Sequence, residues 1–78
     1  MPHISVKMLK GRTDEQKQKL AAALTQALQD SLHASRDHIS LTIEDYSAEE
    51  WQGIFAEEVT AKKDVLFVKP NYKPEDLL

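Results

Sequence analysis

Residues 10–17 read Lys10-Gly11-Arg12-Thr13-Asp14-Glu15-Gln16-Lys17. Lys10-Gly11-Arg12 reads as a turn, because glycine accepts backbone angles that other residues avoid. Thr13 and Gln16 stand three apart, the spacing of a capping box, in which each side chain satisfies the other residue's backbone N–H. The helix should therefore start at Asp14. Asp14 and Glu15 fall in its first turn, where the helix dipole favours anions.

The pattern changes on either side of this stretch. On the N-terminal side, Ile4, Val6 and Met8 alternate with His3, Ser5 and Lys7, the period of a strand with one covered face. Pro2 heads the run, and the first residue of a strand tolerates the missing N–H. On the C-terminal side, Leu20, Leu24, Ala27, Leu28 and Leu32 recur at helical spacing, so the helix should run to about Leu32. After a polar connection over residues 33–37, Ile39, Leu41 and Ile43 alternate with Ser40, Thr42 and Glu44. Strand, long helix and strand make a β-α-β unit, whose strands should be parallel with a right-handed crossover. Two strands make no independently stable sheet, so a second subunit is expected to complete it.

Ser47 and Glu50 repeat the capping-box spacing. They predict a short helix from about Ala48 to Glu58, with Gly53 as its weak point. Val65-Leu66-Phe67-Val68, closed by Pro70, reads as a short strand added across a subunit interface. Residues 70–78 read as an irregular tail. The fold class is α+β, in a single domain spanning residues 1–78.

Composition narrows the function. The chain has 78 residues, a formal net charge of −3 and no cysteine. A lone core of this size is marginal, and disulfides are unavailable to reinforce it. Oligomerisation is the obvious additional source of buried surface. No basic patch points to nucleic acid, no apolar run approaches the ~20 residues of a membrane span, and no signal-peptide core opens the chain. A cytoplasmic chain is expected.

Three residues stand out chemically. Pro2 follows the initiator methionine and is small enough to allow its removal, which would expose a secondary amine. An α-amino group ordinarily titrates near ~7.7–8.0, and an apolar pocket beside a cation lowers that further. A base poised near neutral pH suits proton transfer. Arg12 precedes a helix N-terminus, where the exposed amides favour an anion and a guanidinium adds a two-pronged carboxylate partner. It lies roughly 25 Å from its own Pro2 along an eight-residue strand, so a neighbouring subunit would have to bring the two together. Trp51, the single tryptophan, is either a core anchor or the wall of an aromatic pocket. His3, His33 and His38 lack metal-ligand spacing. No phosphate loop, nucleophile elbow or zinc signature is present.

Met-Pro opening a strand, followed by Gly11-Arg12-Thr13-Asp14-Glu15-Gln16-Lys17 opening a helix, resembles the 4-oxalocrotonate tautomerase family over roughly residues 2–58. The Trp51-Gln52 segment and the extension through Lys69-Pro70 and Tyr72 resemble a longer bacterial branch. The resemblance implies a cofactor-independent, metal-free isomerase acting on a small 2-oxo acid. Pro2 would be its general base, Arg12 would bind the substrate carboxylate, and Trp51 would make the pocket apolar. A second arginine expected in the second strand is replaced here by Ser40, with Arg36 four residues earlier. That favours a substrate with one carboxylate and an apolar or aromatic remainder, such as phenylpyruvate. The longer branch resembles dimers rather than hexamers. Two alternatives stay open: decarboxylation or dehalogenation of a small acid on the same scaffold, and a non-catalytic oligomeric binding protein.

Overall fold

A computed structural model describes all residues from 1 to 78. The chain divides into two compact units, Met1–Asp45 and Tyr46–Leu78.

The first unit is the expected β-α-β arrangement. Strand β1 spans His3–Leu9, helix α1 Asp14–Leu32 and strand β2 Ser40–Tyr46. The two strands are hydrogen-bonded neighbours. Their register follows from side-chain pairs: His3 meets Ser40 and Lys7 meets Glu44, both 37 residues apart in sequence. A constant offset means the strands run parallel. Helix α1 starts where the capping box puts it: Thr13 Oγ1 accepts from the Gln16 N–H at 3.1 Å, and Gln16 Oε1 accepts from the Thr13 N–H at 2.9 Å.

The helix face differs in part from the sequence expectation. Leu20, Ala21, Leu24, Thr25 and Leu28 are half-buried, whereas Ala27 and Leu32 are exposed. Ala27 is rotated well off the centre of that face at 100° per residue. Leu32 is in the last turn, and 19 helical residues reach about 28 Å at 1.5 Å each. Seven strand residues reach only about 23 Å, so the helix end outruns its support.

One polar tie fastens α1 to β2. Lys17 Nζ donates to Asp45 Oδ2, and both side chains are about three-quarters buried. The other carboxylate oxygen, Oδ1, is buried with no hydrogen-bond partner. Lys17→Ala would leave the whole carboxylate without a partner, and a buried polar group so stranded costs about 1–3 kcal/mol. By contrast, Lys19 pairs with Glu15 on the open helix surface, where such pairs contribute only about 0.2–0.5 kcal/mol. Chemical denaturation should therefore rank Lys17→Ala clearly below Lys19→Ala in midpoint.

The second unit is built on helix α2, Ala48–Phe55. Its capping box is closed by Ser47 and Glu50 as expected. Helical backbone continues past the expected end at Glu58, but in a wider form over Ala56–Thr60. There the Ala61 N–H reaches back five residues to the Ala56 carbonyl, at 2.9 Å. The expected strand at residues 65–68 does not form in the single chain. Val65 closes a short turn, Lys63–Val65, and the following residues pair with no strand. A strand needs a partner for its backbone groups, and here none is supplied. Phe67 is 98% exposed and Val68 82%. The tail is more ordered than expected: Pro74–Leu77 forms a further turn.

No side chain is fully buried in either unit, and no helix is long and apolar enough to cross a membrane.

Candidate active site

Pro2 lies immediately before β1 and is half-buried. Its carbonyl accepts from the Ser40 N–H at 3.2 Å, so the head of β1 is fastened to the first residue of β2. On the exposed face beside that bond, His3 Nδ1 lies 2.6 Å from Ser40 Oγ. Ser40 thus holds this end of the sheet twice, by its backbone and by its hydroxyl. Met1 is 94% exposed. While it is attached, the Pro2 nitrogen is an amide; its removal would leave a ring nitrogen whose residue is already anchored.

Arg12 occupies the turn at the opposite end of β1. Gly11 enters that turn at φ +133°, a left-handed conformation that a side chain would strain. Arg12 is exposed and takes part in none of the ion pairs. It adjoins the first turn of α1, whose leading N–H groups have only partial partners within the helix. A free guanidinium next to such a helix start is suited to a carboxylate. Pro2 and Arg12 of one chain are not brought together: the length of β1 separates them.

Trp51 is in the second unit, on the first turns of α2, and is half-buried. The indole N–H donates to Tyr72 Oη at 2.9 Å, and the ring is tilted against Tyr46 with centroids 6.5 Å apart. One turn further along α2, Phe55 meets the Tyr72 ring edge-on at 5.6 Å. These distances lie in the favourable range for aromatic pairs. Neither aromatic partner of Trp51 is encoded by a local pattern: Tyr46 ends β2, and Tyr72 lies in the segment expected to be an irregular tail. The only available signal there is Tyr72 itself, the one aromatic residue among residues 70–78. The same unit holds a groove of about 510 Å³, lined by Phe55, Val59, Leu66 and Pro70 with Lys63 and Lys69 among its walls; none of Pro2, Arg12 and Trp51 borders it.

The His3–Ser40 pair was also missed, since the sequence alone gives no register. No three His, Cys, Asp or Glu side chains are grouped as a metal site would require.

A parallel β-α-β unit headed by a proline, with an arginine at its first turn, invites comparison with known proteins. The model of the family described as Tautomerase enzyme matches residues 2–61. Tautomerase PptA of Escherichia coli O127:H6 is 34% identical over 73 residues, covering 92% of this chain and 97% of that protein. The 2-hydroxymuconate tautomerase of Bacillus subtilis is 47% identical over 45 residues, covering 58% of this chain and 73% of that one. Among solved structures, YwhB, a homologue of 4-oxalocrotonate tautomerase, superposes with a TM-score of 0.59 at 42% identity, covering 60% of this chain and 77% of that one. The chain belongs to the tautomerase family, among the relatives of 4-oxalocrotonate tautomerase and PptA. It is an isomerase of the tautomerase type.

Proposed function

We propose that the protein interconverts the enol and keto forms of a small 2-oxo acid, with the Pro2 nitrogen as general base once Met1 has been removed. The observation that carries this reading is that the family match begins at residue 2, so the proline heads the family's own frame. The neutral ring nitrogen takes the enol O–H proton, the O–H electron pair forms the second C–O bond, and the C=C electron pair is left on the neighbouring carbon. That pair takes the proton back from the protonated ring nitrogen, which gives the keto form and the neutral base without any co-reactant.

Arg12 receives the substrate carboxylate, and Trp51 contributes an aromatic surface for the rest of the molecule. Ser40, engaged with His3, supplies no second positive charge. The favoured substrate therefore has one carboxylate and an apolar or aromatic remainder, and phenylpyruvate is the compound to assay.

The length of β1 between Pro2 and Arg12 argues that each site takes its arginine from a neighbouring subunit. The two-stranded sheet also leaves both outer edges open, and the apolar residues Phe67 and Val68 stand in solvent. A homodimer satisfies both needs.

The test pairs two measurements on one preparation. The intact mass should be short by one methionine, and that material should convert phenylpyruvate enol to the keto form. A chain with a free Pro2 that leaves the enol untouched would overturn the proposal.

A further inference from the structure

Trp51 carries one N–H donor and no acceptor, so the orientation of its ring depends on where that donor is satisfied. Here the acceptor is Tyr72 Oη, 2.9 Å away, on a segment 21 residues further along the chain. Tyr72 bridges two successive turns of α2, with its hydroxyl on Trp51 and its ring edge against Phe55. Residues four apart on a helix share a face, so one side chain can span both.

The segment around Tyr72 is itself held. Gln52 Nε2 donates to the Pro74 carbonyl at 2.8 Å and to the Ala48 carbonyl at 3.1 Å. The Lys73 N–H donates to Asp76 Oδ2 at 3.3 Å, closing the final turn. These contacts turn the last residues into a strap across α2. The family match ends at residue 61, before the strap begins, whereas the PptA match takes in 92% of the chain.

We propose that Tyr72 is a positioning residue that fixes the Trp51 indole, and that the C-terminal strap thereby sets affinity for substrates with an aromatic group. This rests on the reading of Trp51 as a substrate-binding residue. Tyr72 keeps the indole in one orientation before substrate arrives, and a preorganised surface binds more tightly than one that must be ordered on binding.

The experiment compares wild type, Tyr72→Phe and Tyr72→Ala. Trp51 is the only tryptophan, so fluorescence emission reports its environment directly. Steady-state kinetics use phenylpyruvate enol and, as a one-carboxylate enol without a ring, 2-hydroxy-2,4-pentadienoate. Tyr72→Phe keeps the ring and loses one hydrogen bond, so KM for phenylpyruvate enol should rise about 3–10-fold, with kcat within about twofold. Tyr72→Ala should shift the emission further to the red and raise that KM more. KM for 2-hydroxy-2,4-pentadienoate should stay near the wild-type value. Unchanged emission and KM in both variants, or an equal loss of kcat on both substrates, would overturn this inference and leave the isomerase reading standing. A wild-type protein with free Pro2 that turns over neither compound would overturn the functional proposal and this inference with it.

Discussion

Blocking the Pro2 nitrogen should reduce tautomerase turnover by about 10²–10⁴-fold, the usual contribution of a positioned general base. The cleanest block is chemical: acetylation of the mature terminus turns the amine into an amide and changes little else. Lysine acetylation is the confounding effect, and it is limited by reacting near neutral pH, where lysine amines, which ordinarily titrate near ~10.4, stay protonated while an α-amino group, near ~7.7–8.0, is partly free to react. Pro2→Ala is informative in its own right. Alanine is also small enough to permit methionine removal, so a primary amine replaces the ring nitrogen at the same place. What is lost is the ring, which fixes φ and holds the nitrogen relative to the carbonyl that Ser40 anchors. Most of the activity should disappear, with the loss mainly in kcat, because a mobile base is poorly aligned in the transition state. Chemical denaturation should show both proteins as stable as wild type. Turnover that survives acetylation at the wild-type rate would remove Pro2 from the mechanism.

Sequence and structure agree most closely where the physics is local. Both helix starts were legible because a capping box is written in two residues three apart, Thr13 with Gln16 and Ser47 with Glu50. The strands were legible from their period of two. What depends on register or on distant partners was not. Ser40 could be placed on the polar face of its strand, but its pairing with His3 needs the parallel offset of 37 residues, which no local pattern encodes. The ion pair between Lys17 and Asp45 is equally non-local. At residues 65–68 a strong β pattern was present, yet apolar β-forming residues make a strand only beside another strand. In the single chain Val65, Phe67 and Val68 lie exposed. For Tyr72 the obstacle was different: residues 70–78, with Pro70 and Pro74, have the composition of a tail, and only the helix face they lie on gives them order. Of the proposed site, Pro2, Arg12 and Trp51 could be singled out by type, and the expected strand length already separated Pro2 from Arg12; the observed β1, His3–Leu9, keeps that separation.

Arg12→Ala should lower kcat/KM for phenylpyruvate enol by about 10–100-fold, chiefly through KM, since a hydrogen bond to a charged group contributes about 1.5–3 kcal/mol. Arg12→Lys keeps the charge but loses the planar fork that matches a carboxylate, so it should recover only part of the loss. Neither change should affect stability much, because Arg12 is exposed and outside the ion pairs of the first unit. The sharper question is whose arginine each proline uses. If the site is shared between subunits, a mixed dimer of Pro2→Ala and Arg12→Ala chains holds one site with both residues intact and one with neither. Random re-pairing of equal amounts makes half of all dimers mixed, so activity should return to about a quarter of wild type in a two-fold assembly. If each chain serves its own site, every site in the mixture lacks one residue and no activity returns. The extended seven-residue β1 between the two positions favours the first outcome, since a strand spans about 3.3 Å per residue and cannot fold back on itself. Recovery on mixing would place the active site at the subunit interface, and an inert mixture would require the substrate to be gripped by another cation near Pro2.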